Sequence, residues 1–202
     1  RWARISERHR MAPPRVCPSL FRGCWVWSGV PAISVVLPVF NRAQVVSRAI
    51  ESVLAQSFEE FELIVVDDGS SDGTAALLAQ QTDSRIRILT VPRNGGACAA
   101  RNLGIGSARG DLVCFLDSDD VYLRSKLEVV GDLFAAEPEL DLLIDSFVCR
   151  KGIGSRNRIK SNRNPPGLSG REFRAALFER RIAKATTAIS VRRRALCEVG
   201  CF

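Results

Sequence analysis

The chain lacks the features that mark secreted and membrane-spanning proteins. Its seven cysteines include no Cys-x-x-Cys pair and are odd in number, which disfavours a disulfide framework and favours a reducing compartment. Uninterrupted apolar runs fall well short of the ~18 residues that a membrane span needs. Arg22 interrupts the one stretch that is similar to a secretory leader, Val16 to Val30. We therefore expect a cytoplasmic protein.

Charge is unevenly distributed, and its pattern disfavours nucleic-acid binding. The formal net charge is +7, but the segment from Pro31 to Cys149 has eighteen acidic and nine basic residues. The basic segment from Arg150 to Arg194 shows neither zinc-ligand spacing nor a known nucleic-acid-binding motif. An acidic centre suits a divalent cation better than a phosphate backbone. We expect no nucleic-acid partner.

The hydropathy pattern separates an irregular start from a folded remainder. Residues 1–30 mix Arg, Pro and Trp without a helical or strand period, and we expect an irregular extension there, with disorder as one alternative. With 202 residues and 46% hydrophobic content, the chain is long enough for one domain with a substantial core. We place that domain over residues 31–202.

From Ile33 onward, apolar strand-like runs alternate with segments of helical period. Such alternation predicts an α/β fold with a parallel sheet covered by helices on both faces. Strands are predicted over residues 33–37, 61–66, 85–91 and 112–116, with a turn at Pro38, and helices over 43–56, 74–80, 97–108 and 123–136. Beyond residue 140 we predict a strand over 141–148, a basic loop over 151–167, a helix from the capping box at Ser169 towards Arg180, and a strand over 186–191.

Three carboxylates follow the fourth predicted strand, in the segment FLDSDD. Asp117, Asp119 and Asp120 repel one another at the edge of a sheet unless a positive charge compensates them. Side chains two apart on a strand share a face, so Asp117 and Asp119 are expected to present both carboxylates to one divalent cation. Asp68 follows the second strand and is expected to meet them at the carboxyl edge of the sheet. The alternative is that these acids only solvate the turn and begin the next helix.

Three other motif interpretations are weaker. The segment that starts at Asp68 begins like a calcium loop, but its twelfth position is Ala79 instead of a bidentate Glu. The strand that ends in DSDDV is similar to the nucleophile motif of haloacid-dehalogenase-like phosphatases, yet no convincing later acidic pair follows it. A dinucleotide-binding site is disfavoured because the first strand leads into PVFNRA and not into a glycine-rich turn.

Several motifs in order carry a family resemblance. ISVVLPVFNRAQVVSRAIESVLAQSFEEFELIVVDDGSSDGT is followed by RNGGACAARNLGIGSARGDLVCFLDSDD, and together they resemble the family 2 glycosyltransferases of the GT-A fold. The resemblance is dense from Ile33 to about Leu127 and fainter towards Phe202. It implies a Rossmann-like three-layer sandwich with a mostly parallel sheet.

The resemblance also implies a pocket for the nucleotide of a sugar donor. Pro38 and Phe40 would line the base pocket, and Asp68 would accept a hydrogen bond from uracil or an equivalent base. Asn94 and Gly95 would lie in the loop beside the nucleotide. The implied donor is a nucleotide-diphosphate sugar, a UDP-sugar in the first instance.

The remaining implied residues surround the diphosphate. Asp117 would contact the ribose and the metal, and Asp119 would be the main ligand of Mn²⁺ or Mg²⁺. Arg101 would lie beside the nucleotide, although a salt bridge on the helix surface is an equally good interpretation of this arginine. The cation would act as a Lewis acid on the leaving diphosphate.

The family resemblance also covers the acceptor and the mechanism. It implies inverting transfer to a saccharide, lipid-linked or other acceptor in cell-envelope polysaccharide synthesis, and it allows peripheral association with the inner face of the membrane. Inversion requires a carboxylate base, which in the family usually follows a stretch like Arg193 to Phe202. We find no match to it, and we expect a C-terminally incomplete domain that holds the donor site without its base. The alternative is a non-catalytic module that binds nucleotide sugars.

Overall fold

A mostly parallel sheet organises the protein. The computed structural model describes residues 31–151, 158–162, 172, 185–200 and 202. Within these ranges one sheet has the strand order β3-β2-β1-β4-β8-β5. The strands are β1 (Ile33–Val39), β2 (Phe61–Asp67), β3 (Ile86–Thr90), β4 (Leu112–Phe115), β5 (Leu142–Ile144) and β8 (Ile189–Arg192). The first four in that order are parallel, whereas β8 runs antiparallel to both of its neighbours.

Helices connect the strands and cover the sheet. They are α1 (Val46–Leu54), α2 (Thr74–Leu78), α3 (Ala97–Ser107), α4 (Lys126–Ala136) and α5 (Arg193–Val199), with a 3₁₀ turn at Thr186–Ala188 before β8. A separate antiparallel hairpin pairs β6 (Phe147–Lys151) with β7 (Arg158–Asn162). No helix in the described ranges has both the length and the apolar character needed to cross a membrane.

The core lies on both faces of the sheet. All seven residues of β1 and all seven of β2 are buried, because helices cover the two faces to which alternate side chains point. Val35 and Leu37 pack on the face covered by α1 and α4. Val36 and Phe115 pack on the opposite face, against α3 and α5. This arrangement confirms the predicted three-layer α/β sandwich.

Helix α3 lies unusually close to the sheet. A Cβ atom added to Gly104 would come within 2.4 Å of Val36 Cγ1, which only a glycine at this position avoids. In the loop between α3 and β4, a Cβ on Gly110 would lie 2.8 Å from the backbone nitrogen of Ser34. Gly104 thus allows the close approach of α3 to β1, and so it helps to position Arg101, three residues before it.

Several element boundaries differ from the sequence-based prediction. The predicted turn at Pro38 is wrong, since β1 continues to Val39 and pairs with β2 throughout. Proline is tolerated because this position faces the β4 side, beyond the last β1–β4 pair of Val36 and Phe115. The predicted strand over 141–148 is interrupted at residues 145–146 and forms parts of β5 and β6. Residues 1–30 and the helix predicted towards Arg180 lie outside the described residues.

Candidate active site

A cavity of about 340 Å³ lies where β1, β2 and β4 end at the carboxyl edge of the sheet. It brings together seven of the eight residues that the sequence singled out, and the eighth, Gly95, is not among its lining residues. Two arginines and three aspartates line it, so its formal charge is −1. The lining residues are Pro38, Val39, Phe40, Arg42, Asp68, Asn94, Ala97, Ala100, Arg101, Asp117, Ser118 and Asp119.

The loop after β1 is fastened to the loop after β2. Asn41 has a left-handed backbone, with φ of 52°, a conformation that asparagine tolerates better than most residues. Its N–H donates to Ser70 Oγ at 2.9 Å, and its Oδ1 accepts the Ser71 N–H at 2.8 Å. These bonds fix the half-exposed ring of Phe40 and the side chain of Arg42 at the cavity mouth. Arg42 is a lining residue that the sequence interpretation did not select.

Asp68 ties the end of β2 to the start of α3. Its carboxylate is buried and accepts the N–H of Gly95 at 2.9 Å on one oxygen and the N–H of Gly96 at 2.8 Å on the other. Gly69 follows with φ of 75°, and a Cβ there would lie 3.0 Å from the backbone nitrogen of Asn94. Asp68, which lines the cavity, is therefore bonded to the backbone of Gly95, which does not line it, and this contact was not apparent from the sequence.

The acidic segment forms a turn instead of a strand end. β4 stops at Phe115, and the N–H of Asp120 donates to the carbonyl of Asp117 at 3.0 Å. The expectation that Asp117 and Asp119 share one face of an extended strand is therefore wrong in its geometry. Both residues nevertheless line the same cavity, Asp117 half-buried and Asp119 exposed.

Arg101 reaches from α3 to this turn. Its Nη2 lies 2.6 Å from Asp117 Oδ1, and its side chain is only 12% exposed. The pair joins two elements across the cavity wall, so it is not a salt bridge along the surface of α3. The buried Nε of Arg101 has no hydrogen-bond partner among the described residues. The ion pair holds one oxygen of Asp117 and leaves Oδ2 without a recorded partner in the described part of the chain.

Thr187 contacts the acidic turn from the β8 side. Its hydroxyl accepts the N–H of Asp117 at 3.3 Å and donates to Asp120 Oδ2 at 2.5 Å. The sequence interpretation missed this residue, because it lies seventy positions after Asp117 in a weakly patterned region. The predicted strand over 186–191 includes this residue. The sequence alone did not show which strand would lie beside it, so its contact with Asp117 could not be predicted.

The carboxylates at the cavity fit a hard divalent cation that shares its shell with a ligand. No cluster of three or more potential metal-binding side chains occurs among the described residues, so a site made by protein ligands alone is not present there. No described residue bonds to the carboxylate of Asp119. Mg²⁺ and Mn²⁺ commonly take one or two protein carboxylates and complete their shell with water and phosphate oxygens. Asp117 and Asp119 match that donor set.

A larger cavity, of about 1000 Å³, opens at the opposite edge of the sheet. Glu62 lines this cavity and accepts hydrogen bonds from Ser34 Oγ, Arg87 Nη1 and the Arg109 N–H at 2.7 to 2.8 Å. Burial opposes ionisation of Glu62, but these bonds outweigh it and lower the pKa of the carboxyl. The cavity contains no predicted site residue, and ligands of parallel α/β sheets bind at the carboxyl edge. The smaller cavity is therefore the candidate site.

Comparison with known sequences identifies related proteins. The profile of the family described as Glycosyl transferase family 2 matches residues 34–199. The succinoglycan biosynthesis protein ExoO of Rhizobium meliloti is 46% identical over 98 residues, which cover 48% of this chain and 28% of ExoO. The Escherichia coli protein WfgD, a UDP-Glc:alpha-D-GlcNAc-diphosphoundecaprenol beta-1,3-glucosyltransferase, is 41% identical over 97 residues, which cover 48% of this chain and 38% of WfgD. The chain thus spans less than half of these relatives.

Solved structures share the fold. TarS 1-349 of S. aureus, in complex with UDP-GlcNAc, superposes with a TM-score of 0.62 at 22% identity, over 82% of this chain and 46% of TarS. The mannosyltransferase PcManGT of Pyrobaculum calidifontis, with GDP-Man and Mn²⁺, has a TM-score of 0.62 at 18% identity, over 86% of this chain and 48% of PcManGT. Since the family profile covers most of the chain, the protein belongs to glycosyl transferase family 2.

Proposed function

We propose that the protein transfers a sugar from a nucleotide-diphosphate sugar, with UDP as the nucleotide, to a saccharide or lipid-linked acceptor, and that it inverts the anomeric centre. The observation that carries this proposal is the convergence of Phe40, Asp68, Arg101, Asp117 and Asp119 on one cavity at the carboxyl edge. TarS with UDP-GlcNAc and PcManGT with GDP-Man share this fold, and the name of WfgD includes a UDP-sugar donor and a diphosphoundecaprenol acceptor. These relatives support the donor class.

The two ends of the cavity suit the two parts of the donor. Pro38, the ring of Phe40 and Asp68 offer a flat apolar surface and a hydrogen-bond acceptor for the base. Asp68 already accepts two backbone N–H groups, but each carboxylate oxygen has a further lone pair for a base N–H. In this proposal the Asn94–Gly95 loop and Arg101 would lie beside the nucleotide.

The negative charge of the cavity means that a bound cation would favour binding of the anionic diphosphate. A nucleoside diphosphate is an anion, and the cavity itself has a formal charge of −1. A bound Mn²⁺ or Mg²⁺ would change that charge to +1 and would stabilise the negative charge that develops on the leaving diphosphate. Asp117 and Asp119 would hold the cation, while Arg101 neutralises one oxygen of Asp117 and orients the carboxylate.

A base must remove the proton of the acceptor hydroxyl. The described carboxylates near the acidic turn that could serve as this base are already bonded to other side chains. Near the acidic turn, Asp120 is bonded to Thr187, and Asp145 is paired with Lys126. This observation favours a second candidate function for the chain as given, namely nucleotide-sugar binding without transfer. An assay for transfer of radiolabelled sugar from a UDP-sugar donor distinguishes the two functions. A module that only binds nucleotide sugars would bind the labelled donor and form no labelled acceptor product.

Calorimetry of UDP binding with and without Mn²⁺ tests the donor site. Asp119→Asn keeps the shape of the side chain but removes its charge, and we expect Mn²⁺-dependent UDP affinity to fall by about tenfold or more, equivalent to roughly 1.4 kcal/mol. Asp111→Asn is the matched control, because it removes a carboxylate that is 89% exposed at the other end of β4. Unchanged affinity in Asp119→Asn would refute the assignment. Phosphate release from p-nitrophenyl phosphate would instead favour the phosphatase hypothesis.

A further inference from the structure

Of the three carboxylates in the acidic turn, Asp117 and Asp119 line the candidate cavity and Asp120 does not. Asp120 is also the one whose carboxylate accepts a hydrogen bond from Thr187. A third free carboxylate at this point would repel the other two and compete for a bound cation. The Thr187 hydroxyl therefore separates Asp120 from the pair that faces the cavity.

The same hydroxyl also holds the backbone of the turn. Thr187 Oγ1 accepts the N–H of Asp117 while it donates to Asp120, which uses its one donor and one of its two acceptor lone pairs. The two contacts join the first and the last residue of the turn. Serine has the same capacity, whereas valine has nearly the shape of threonine and can make neither bond.

The sheet places Thr187 at this position by register. β4 pairs antiparallel with β8 so that Cys114 lies opposite Ser190. Three residues beyond this pair on each segment lie Asp117 and Thr187, which are in contact through the Asp117 N–H and the Thr187 hydroxyl. Ala188 is buried beside it, and its carbonyl accepts the N–H of Asp145 at 3.0 Å. The 3₁₀ turn that carries Thr187 is thus bonded to the residue that follows β5 and continues directly into β8.

We propose that Thr187 is a positioning residue of the cation site, which fixes the acidic turn so that Asp117 and Asp119 face the cavity and Asp120 does not. This inference rests on the proposed function, because it assigns Thr187 a role in the same donor site. Thr187 acts through the carboxylates and need not touch the donor. Its loss is expected to weaken binding of the Mn²⁺–UDP pair and to leave the weaker binding of UDP without metal unchanged.

The test compares Thr187→Val with Thr187→Ser by calorimetry of UDP in the presence and absence of Mn²⁺. We expect Thr187→Val to lower the Mn²⁺-dependent affinity by about tenfold, within the range for a lost hydrogen bond to a charged group, and Thr187→Ser to remain close to the wild type. Thr186→Val is the matched control in the same 3₁₀ turn. Thr187→Ala removes the hydroxyl in a second way if the valine variant folds poorly.

Each outcome decides the matter. A Thr187→Val protein that binds Mn²⁺–UDP like the wild type would overturn the inference, and so would an equal loss of UDP affinity with and without the metal, since a merely structural role predicts that result. Equal losses in Thr187→Val and Thr186→Val would overturn it as well. A wild-type protein whose UDP affinity does not respond to Mn²⁺ would overturn the cation-dependent part of the proposed function, and this inference with it.

Discussion

Replacement of Gly104 by alanine tests whether the contact between α3 and β1 sets the geometry of the site. The new Cβ would lie 2.4 Å from Val36 Cγ1, whereas carbon atoms in contact prefer about 3.5–4.0 Å. Helix α3 must therefore move away from the sheet by more than about 1 Å, or Val36 must change rotamer in a fully packed strand. A movement of the helix would shift the turn of α3 that carries Arg101, whereas a rotamer change of Val36 would leave it in place.

The expected magnitude follows from two opposing terms. Alanine stabilises a helix interior by about 0.8–1 kcal/mol relative to glycine, and overpacking a core costs about 1–3 kcal/mol. Gly106→Ala in the same helix gains the helix propensity of alanine without the cost of overpacking, because its Cβ would meet nothing within 4 Å. The difference between the two variants is therefore about 2 kcal/mol, or roughly 4–8 °C in melting temperature for a domain of this size.

Urea unfolding of both variants measures this difference, and UDP calorimetry tests its consequence for the site. We expect Gly104→Ala to lose UDP affinity and Gly106→Ala to retain it. Val36→Ala should relieve the clash, so that the double variant with Gly104→Ala is more stable than the sum of the single effects predicts. Equal stability of Gly104→Ala and Gly106→Ala would refute the close contact between α3 and β1.

Two further variants test the wall of the site and the opposite edge of the sheet. Asp68→Asn leaves one of the Gly95 and Gly96 N–H groups without an acceptor. We expect the free energy of unfolding to fall by about 2 kcal/mol, which urea unfolding would show as a lower midpoint. An unchanged midpoint would contradict the role of Asp68 in holding these two N–H groups. Glu62→Gln should destabilise the protein near pH 7. Because the fold lowers the pKa of Glu62 from its ordinary value of 4.5, its stabilisation is present above that pH and disappears as the pH falls through the lower, folded value. The two proteins should therefore converge in stability in acid, and a difference that persists there would contradict the assigned ionisation.

The sequence predicted the elements whose signal is local. β1 and β2 are continuous apolar runs because helices cover both faces of a central parallel strand, and their bounds were close to those observed. The family motifs also placed Phe40, Asp68, Arg101, Asp117 and Asp119 in one site, and all five line the cavity. What they bind stays a prediction.

The contacts that shape the site depend on residues far apart in the chain. Asp68 meets the Gly95 N–H across twenty-seven positions, and Thr187 meets Asp117 across seventy. Local hydrophobic periodicity does not predict such pairs, because they depend on the order and register of the strands. The acidic turn illustrates a second limit, because an alternating pattern predicts an extended backbone and does not show where the strand stops.

Under the proposed function, the carboxyl edge of the sheet binds a nucleoside diphosphate together with a divalent cation. Nuclear magnetic resonance of the labelled protein, titrated with UDP and then with Mn²⁺, tests it most directly. We predict that UDP shifts the amide signals of Gly95 and Gly96, and that Mn²⁺ broadens the signals of residues 117–120. Unchanged spectra, or changes confined to Glu62 and Arg87 at the opposite edge, would contradict the account.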